Sequence, residues 1–410
     1  MSKASIVSIG NEILSGQTVN TNAAYLSGKL LSIGIPTVSS YTVGDDIGSI
    51  VRALKLASDD ADIVSTTGGL GPTDDDLTRQ AFSKLLGTEL QLQNEILRKI
   101  KDFFASRDLQ MPATVKRQAY IPAGAKALTN NLGTAPGIMA KVKGKWFFAL
   151  PGVPSEMKRM FEESVLSKLK ELAAGQAIVV RKLKCFGAAE AQIAELLGSY
   201  MQRGRNPLIN CTVEEGVITL HIIATAKDKS QAQQMAEKDE KSLTELLGEL
   251  VYGTGEQTLA EVIGEKLTQQ KKTIAVAESC TGGLLAKLLT DIPGASRYLT
   301  HGWIAYSNDA KIAELGVPAE LIEKHGAVSQ QVAEAMAKGA RKRSGTDFAI
   351  GITGIAGPTG GSEQKPIGLV YISVDSDNIC ETKRFIFSHD RGSIRLRAAQ
   401  TALNMLRLKL

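Results

Sequence analysis

Short apolar runs alternate with amphipathic stretches over the first part of the chain. Three apolar runs, 5–9, 37–43 and 62–66, have the length of buried strands, and the segments between them, 21–31 and 47–58, repeat apolar residues at helical spacing. Strands that alternate with helices form parallel sheets with helices packed on both faces. The pattern therefore predicts an α/β domain of three layers, helix, sheet and helix.

Two more apolar runs, 137–142 and 146–150, flank Lys143 and Gly144, which are expected to form the turn of a β-hairpin. Helical spacing of apolar residues then continues over 154–172. We expect this helix to close a first domain at 1–172.

The order of the predicted elements changes near residue 175. Strands are expected at 179–185, 208–213 and 217–224, and helices at 189–201 and 229–247. This β-α-β-β-α order is typical of a small α+β module. A glycine-containing break at 253–255 ends the module, and strands and helices then alternate again to residue 410. The predicted fold class is α/β, with two α/β/α parallel-sheet domains, 1–172 and 256–410, joined by a small α+β module at 175–253.

Composition narrows the function classes. The chain has 410 residues, 43% of them hydrophobic and 22% charged, which suits globular domains with ordinary cores. No stretch reaches the ~18 apolar residues of a membrane span, and residues 1–10 enter a strand without a basic signal region. We therefore expect a cytoplasmic protein with no membrane partner.

The charged residues and the cysteines argue against two kinds of site. The net charge is +5, but Lys and Arg are scattered, which argues against a nucleic-acid partner. The four cysteines show no C-x-x-C spacing, which argues against a zinc site or a redox pair. Anionic small molecules are the better expectation for ligands.

Ser279 follows an expected strand at 273–277 and precedes an apolar helix at 284–289. Unpaired N–H groups and the dipole at a helix start stabilise negative charge, so a serine there could be a nucleophile. The alternative is that Ser279 or Thr281 only caps the helix, which is the commoner use of such residues.

Tyr306 and Lys311 are the candidate activating groups for this serine. None of the four histidines stands in a recognised serine–histidine motif. A lysine whose pKa is lowered by burial or by a neighbouring cation can accept the serine proton, and a tyrosine hydroxyl can pass it on. Taken alone, the two residues would more often be a buried aromatic ring and a solvated charge.

Five ordered motifs resemble the CinA C-terminal domain, a family of nicotinamide-nucleotide amidohydrolases. They are AESCTGG at 277–283, YSNDAK at 306–311, HGAVS at 325–329, GITGIAGP at 351–358 and GGSEQKP at 360–366. The resemblance covers 256–410 and implies hydrolysis of nicotinamide mononucleotide to nicotinic acid mononucleotide and ammonia, with no cofactor.

The same resemblance implies roles for individual residues. Ser279 is the expected nucleophile, with Tyr306 and Lys311 as its activating partners and Thr353 assisting. Oxyanion or phosphate contacts are expected from four glycines, which are Gly282, Gly283, Gly354 and Gly357. One arginine, Arg391 or Arg395, is expected to bind substrate. His389 departs from the family, in which glycine is common at this position, and it leaves the choice of arginine open.

Three loops that follow the N-terminal strands carry the other candidate site, and they are GNEILSG at 10–16, GDD at 44–46 and TTGGLGPTDDD at 66–76. Loops at the carboxyl ends of parallel strands converge on one crevice. Glycine amides suit phosphate oxygens, and carboxylates suit a hard divalent cation. The alternative is that Asp74, Asp75 and Asp76 only cap a helix at 76–86, although a cap needs one aspartate rather than three.

With NLGTAPG at 131–137 and PGVPSEM at 151–157, these loops resemble the molybdopterin-binding-type domain of the CinA family over about residues 1–170. The resemblance implies an ADP-ribose pyrophosphatase that uses a divalent metal (Mg, Mn or Co) and potassium. The residues implied for the metal are Glu12, Asp45, Asp74 and Asp76, and those for substrate are Asn20, Gly68, Gly69 and Gly71.

The segment at 175–250 corresponds to the KH-like module of that family, but it lacks a G-x-x-G loop between charged residues, so we expect no RNA binding. The family also implies a homodimer. The two resemblances therefore imply a bifunctional enzyme of pyridine-nucleotide salvage. Two alternatives stay open: a molybdopterin-related protein that binds a phosphate ligand, and a non-catalytic partner in competence or DNA damage.

Overall fold

The computed structural model describes residues 2–173 and 177–410. The chain forms two compact units, one with residues up to Val179 and Ala224–Gln234, the other with Val180–Ile223 and Met235–Leu410. Residues 1 and 175, where the first two predicted domains begin, lie outside the described residues. The three predicted domain limits therefore stay predictions.

A six-stranded sheet with helices on both sides forms the centre of the first unit. The elements of this unit are β1 (Ala4–Ile9), α1 (Asn11–Leu14), α2 (Thr21–Ser32), β2 (Thr37–Val43), α3 (Ile47–Asp60), β3 (Ile63–Thr67), α4 (Thr78–Leu86), β4 (Leu90–Leu92), α5 (Asn94–Ala105), β5 (Tyr120–Pro122), β6 (Lys126–Leu128), β7 (Gly137–Val142), β8 (Lys145–Leu150), α6 (Pro154–Met160) and α7 (Leu166–Leu172). Strands β4 and β5 pair with each other as a separate two-stranded ribbon.

The strand order is β2-β1-β3-β8-β7-β6. The first four strands are parallel, and β7 and β6 add an antiparallel edge. The hairpin predicted around Lys143 and Gly144 is confirmed, and it makes the sheet mixed rather than purely parallel, because a tight turn reverses the chain direction. The single helix predicted over 154–172 is interrupted by a π-helical turn at Phe161–Val165.

Alternate residues of β1 belong to two separate apolar cores, one on each face of the sheet. Ile6 belongs to the core that contains Leu26 and Leu30 of α2. Its neighbour Val7 belongs to the core that contains Leu54 of α3. Successive side chains of a strand point to opposite faces, so an entirely buried strand needs helices on both sides. The predicted three-layer arrangement is confirmed.

A four-stranded sheet in the order β10-β11-β9-β12 makes up the small module. Its elements are β9 (Ala177–Cys185), α8 (Glu190–Leu197), β10 (Leu208–Glu214), β11 (Val217–Ala226), α9 (Lys229–Leu247) and β12 (Val251–Thr254). The break predicted at 253–255 is wrong in part, because β12 extends to Thr254 and pairs with β9. The register shifts between Val251 and Gly253, which fits the use of glycine at a β-bulge.

The last sheet is five-stranded, in the order β14-β13-β15-β16-β17. Its elements are α10 (Leu259–Gln270), β13 (Ile274–Glu278), α11 (Leu284–Thr290), β14 (Leu299–Ile304), α12 (Asn308–Leu315), α13 (Ala319–His325), α14 (Gln330–Ser344), β15 (Phe348–Gly354), β16 (Leu369–Asp375), β17 (Cys380–Ile386) and α15 (Arg391–Arg407). Strands β14, β13 and β15 are parallel, and β16 and β17 are antiparallel. The three parallel strands end side by side, which brings the segments that follow them together.

In the part of the chain that the structure describes, every helix is too short or too polar to cross a lipid bilayer.

His389 precedes the cap of α15 in a backbone conformation that favours glycine. Its φ is 87°, and the next residue, Asp390, caps α15 by accepting a hydrogen bond from the Ser393 N–H. Side chains with a Cβ are strained in this region, whereas glycine is not. The backbone thus gives a physical reason for the glycine that the family resemblance leads us to expect here.

Replacing His389 by glycine should raise the free energy of unfolding by about 0.5–1 kcal/mol, because relief of the left-handed strain exceeds the cost of a more flexible unfolded chain. Urea denaturation measures the change. The control is His301→Gly, which removes an exposed residue of β14 whose ring stacks on Trp303 at a centroid distance of 5.3 Å and should lower stability. A His389→Gly variant no more stable than the wild type would contradict the strain.

Candidate functional site

Ser279 lies directly after the central strand β13, in a turn that leads into α11. Its N–H donates to the Ile352 carbonyl of β15 over 3.0 Å, and the residue is 8% exposed. Gly282 and Gly283 reverse the chain with φ values of 60° and 89°, and Gly283 is the N-cap of α11. The interpretation of Ser279 or Thr281 as a helix cap is therefore wrong, because no side chain hydrogen bond caps α11 from that position.

Lys311 reaches Ser279 from the first turn of α12. Its Nζ lies 3.1 Å from the Ser279 Oγ, 2.9 Å from the Ala305 carbonyl oxygen and 3.2 Å from the Tyr306 carbonyl oxygen. The lysine is 1% exposed although its charge would normally keep it in water. The two side chains that the sequence pairs are thus in direct contact.

The surroundings of Lys311 suit either protonation state. Burial lowers the pKa of the amine, since the charged form loses its hydration. A neutral amine has two N–H donors and one lone pair, and two carbonyl oxygens are present to accept the donors. Its lone pair is then left for the hydroxyl hydrogen of Ser279. A protonated amine finds three acceptors in the same three groups.

The Tyr306 hydroxyl is not placed between the serine and the lysine. The residue is 59% exposed, and its hydroxyl oxygen accepts a hydrogen bond from Arg391 Nη2 over 3.1 Å. Lys311 donates a hydrogen bond to the main-chain carbonyl of Tyr306. The observed position of the side chain therefore does not match the expectation that this hydroxyl relays the serine proton. Arg391, which is distant in sequence, holds the hydroxyl toward solvent.

Thr353 and two predicted glycines line the end of β15 and the loop that follows. Thr353 is buried and donates its hydroxyl hydrogen to the Ala327 carbonyl over 2.8 Å. A Cβ on Gly354 would lie 2.7 Å from the Leu369 carbonyl oxygen, so no larger residue fits. Gly357 adopts a φ of 73° and accepts a hydrogen bond from Arg391 through its carbonyl.

The two candidate arginines have different partners. Arg391 is exposed and joins the Gly357 carbonyl to the Tyr306 hydroxyl, over 2.7 and 3.1 Å. Arg395 instead donates from Nε and Nη2 to the Thr281 carbonyl, over 3.1 and 2.6 Å, within the turn that carries Ser279. Arg391 is therefore the more exposed of the two arginines, whereas Arg395 binds the main chain of the turn.

Glu278 is a site residue whose role the sequence reasoning missed. It is 1% exposed, and its carboxylate accepts hydrogen bonds from the N–H groups of Leu285 and Ala286 over 3.0 and 2.8 Å. These are the donors that the start of α11 would otherwise offer to a ligand. A carboxylate at the end of an apolar strand, just before a helix, is the signal that could have revealed it.

The glycines of the N-terminal loop allow close backbone approach. Gly68 has a φ of 105°, and a Cβ there would lie 2.1 Å from the Ile9 carbonyl oxygen. A Cβ on Gly69 would meet the Thr78 hydroxyl at 2.4 Å. Gly71 donates its N–H to Asp76 over 2.7 Å. The loop after β3 therefore packs tightly against the end of β1 and the start of α4.

Asp45 stands among other carboxylates at this edge of the sheet. Partial burial raises its pKa, as do the negative charges of Glu12, Asp75 and Asp76, while a hydrogen bond from the Asn11 N–H opposes the rise. Carboxylates that raise one another's pKa by repulsion are stabilised by a cation.

Asp76 and Asp74 have structural partners. Asp76 accepts hydrogen bonds from the Gly71 N–H and from the Thr73 N–H and hydroxyl, so it braces the loop, and α4 begins at Thr78 rather than at residue 76. Asp74 points outward and pairs with Arg117 over 2.7 Å. Across 2–173 and 177–410 no three His, Cys, Asp or Glu side chains are gathered as metal ligands. The residues expected to bind the metal, taken together, do not form a ready site, and Asp74 does not fit one. The expected residues are Glu12, Asp45, Asp74 and Asp76.

Asn20, predicted to bind substrate, has structural partners. It caps α2 by accepting the Ala23 N–H over 3.1 Å, and its amide donates to Ser8 over 2.8 Å. Asn22, which the prediction passed over, is 8% exposed and donates to both Thr67 and the Gly152 carbonyl. The sequence feature that could have revealed Asn22 is its place on the buried face of α2, four residues before Leu26.

Arg79 is a second residue that was missed. It is 2% exposed and donates to the carbonyls of Leu70 and Gly71 over 2.6 and 2.7 Å, beneath the glycine-rich loop. Burial lowers its pKa to about 10. The charged side chain thus fixes the orientation of two peptide groups of the loop.

Three family profiles match the chain. The CinA C-terminal domain matches residues 256–410, a probable molybdopterin binding domain 5–171, and the damage-inducible protein CinA KH domain 180–253. A putative competence-damage inducible protein of Caldicellulosiruptor bescii is 43% identical over 99% of this chain and 99% of its own. A CinA-like protein of Kosmotoga olearia is 42% identical over 99% of this chain and 98% of its own. The chain belongs to the CinA family.

Solved structures of relatives cover part of the chain. A competence/damage inducible protein from Agrobacterium tumefaciens is 44% identical, covers 36% of this chain and 91% of its own, and gives a TM-score of 0.36. A CinA protein of unknown function from Thermoplasma acidophilum is 36% identical, with 41% and 98% coverage and a TM-score of 0.39.

The stability that Lys311 contributes should depend on pH. Because its pKa is lowered in the folded state, the unfolded chain binds more protons between that pKa and 10.5, and stability rises with pH in this window. The wild type should therefore gain stability relative to Lys311→Met as the pH approaches 10.5, as measured by urea unfolding at a series of pH values.

Lys338→Met is the matched control. A hydrogen bond to Glu334 raises the pKa of Lys338, so its contribution is complete below 10.5 and is lost only above it. The difference between wild type and this control should stay flat from pH 6.5 to about 10. A flat difference for Lys311→Met as well would contradict the lowered pKa.

Proposed function

We propose that the C-terminal domain hydrolyses the carboxamide of nicotinamide mononucleotide, releasing ammonia and nicotinic acid mononucleotide. The observation that carries the proposal is the contact of a buried amine, Lys311, with the hydroxyl of Ser279. A neutral amine is a strong enough base to take a serine proton, and burial favours that form. Membership of the CinA family and the match to its C-terminal domain support this assignment.

In the first half-reaction Lys311 accepts the hydroxyl proton while Ser279 Oγ bonds to the carboxamide carbon. The carbonyl oxygen becomes negatively charged in the tetrahedral intermediate. As the intermediate collapses, the C–N bond breaks, and the ammonium of Lys311 gives its proton to the leaving nitrogen. Ammonia departs, and an ester joins the substrate's acyl group to the serine.

In the second half-reaction a water molecule replaces ammonia. Lys311 accepts a proton from the water, the remaining hydroxide bonds to the acyl carbon, and the ester bond to Ser279 breaks. The proton then returns from the lysine to the serine oxygen. One water is consumed, and one amide becomes one carboxylic acid, so neither a cofactor nor an oxidant enters the balance.

Other groups of the site orient the substrate in this proposal. Glu278 occupies the N–H groups of Leu285 and Ala286, so the negative oxygen is stabilised by N–H groups of the turn before α11 rather than by the helix start. Arg391, exposed and fixed to the Gly357 carbonyl, binds the nucleotide phosphate.

Ser279→Ala should reduce ammonia release from nicotinamide mononucleotide on the order of 10³-fold or more, because the acyl-enzyme cannot form. An ammonia assay with product identification measures the loss. Ser373→Ala, a buried serine of β16 that contacts Thr382, is the matched control and should keep its activity. Normal turnover by Ser279→Ala would refute the nucleophile.

We further propose that the N-terminal domain hydrolyses ADP-ribose to AMP and ribose 5-phosphate with a divalent metal. The tight glycine loop after β3 and the repelling carboxylates near Asp45 support a phosphate held with a cation. Magnesium is commonly bound by one or two carboxylates together with substrate phosphates. Glu12 and Asp45 would hold the ion, which would neutralise phosphate charge, while Asp76 keeps the loop in shape.

Asp45→Asn should lower metal-dependent ADP-ribose cleavage about tenfold or more, because a charged ligand is lost. Asp74→Asn is the matched control and should change it little, since Asp74 is exposed and paired with Arg117. Product analysis with and without added magnesium gives the comparison. If Asp74→Asn were the more damaging variant, the outer carboxylate and not Asp45 would bind the metal.

A further inference from the structure

We propose that Glu278 and Arg395 are positioning residues that hold the turn carrying Ser279, Glu278 at its start and Arg395 at its middle. The inference rests on the proposed deamidation, and it assigns Arg395 to the enzyme's own backbone rather than to the substrate. Both side chains hydrogen-bond to main-chain groups, whereas the hydrogen-bond partner of the Ser279 hydroxyl is Lys311.

Glu278 fixes the start of the turn. The residue is the last of β13, and its buried carboxylate spans the turn to bind two successive N–H groups of α11, at Leu285 and Ala286. Hydrogen bonds from two N–H groups and the positive end of a helix both stabilise a carboxylate. The residue next to Ser279 is thus tied to the helix that follows it.

Arg395 fixes the middle of the turn from α15. Two of its N–H groups converge on one acceptor, the carbonyl oxygen of Thr281, which is fully buried. Arg395 also lies so close to the chain that a Cβ on Gly282 would be 3.2 Å from its Nη2. A side chain at Gly282 would crowd this approach.

The two contacts limit how the turn can move. Ser279 is bonded to β15 through its own N–H, Glu278 joins the residue before it to α11, and Arg395 joins Thr281 to α15. Displacing a nucleophile by about 1 Å can cost on the order of 10²-fold in rate. A clamp of this kind acts on the reaction rate and leaves the affinity for the substrate unchanged.

The opposite charges of the clamp flank Cys280, which lies inside the turn. Burial raises the pKa of the Cys280 thiol to about 12, and the charge of Glu278 adds to the rise, whereas Lys311 and Arg395 oppose it. The thiol therefore stays protonated near neutral pH and does not compete with Ser279 as a nucleophile.

The experiment compares Arg395→Met with Arg391→Met in the full-length protein. Two readouts are used: kcat and KM for nicotinamide mononucleotide, and the rate at which phenylmethylsulfonyl fluoride modifies Ser279, followed by mass spectrometry. Arg395→Met should lower both kcat and the labelling rate tenfold or more, with KM within threefold. Arg391→Met should raise KM and leave labelling unchanged. A raised KM with normal labelling in Arg395→Met would overturn the clamp.

Further variants separate positioning from folding. Arg395→Lys keeps the charge but cannot make the paired contact, so it should recover less than a third of the lost labelling rate; full recovery would assign the effect to charge. Glu278→Ala should slow labelling tenfold, whereas Arg341→Met, which breaks the ion pair with the buried Asp375 in the same domain, should lower the melting temperature without slowing labelling. If Arg341→Met slowed the labelling of Ser279 equally, the slowing in Glu278→Ala would reflect a loss of folding, and the clamp would be overturned.

The labelling readout distinguishes the clamp from the proposed function. A wild type that is labelled at Ser279 but releases no ammonia would overturn the proposed substrate, while the labelling rates of the variants would still decide the clamp. A wild type not labelled at Ser279 would overturn the reactive serine on which both proposals rest.

Discussion

The C-terminal site depends on a lysine amine buried against a serine hydroxyl. Burial of Lys311 favours the neutral form, and two carbonyl oxygens direct its lone pair toward Ser279. The two carbonyl oxygens and the Ser279 hydroxyl can also accept the three hydrogen bonds of the protonated amine. The amine can therefore gain or lose a proton without leaving a buried polar group unpaired. The contact thereby gives a base without histidine or metal.

The candidate sites of the two larger sheets lie in equivalent places, where parallel strands end. In each, neighbouring parallel strands end side by side, and glycines after a strand let backbone segments approach where a Cβ would collide. Charged side chains then brace the loops: Arg79 holds the loop after β3, and Arg395 holds the turn after β13. The fold thus brings the loops together, and charged side chains hold the loops in place.

The apolar runs predicted the strands and helices well, because a strand buried on both faces needs an almost continuous run of apolar residues. The motif order also paired Ser279 with Lys311. What the pattern could not decide was the direction of single polar side chains. Arg391 draws the Tyr306 hydroxyl outward, and loop geometry turns Asp74 outward while Asp76 braces the loop. Such choices depend on contacts between residues distant in sequence or on local turns.

The protonation state of Lys311 is the most direct test of this account. Selective isotope labelling of lysine, with Lys311→Met to assign the signal, would allow its titration to be followed by NMR in the folded protein. The account predicts a pKa below the ordinary 10.5, moved by the desolvation of the amine. Titration at 10.5 or above would show an ammonium in the resting site and would contradict a lysine base.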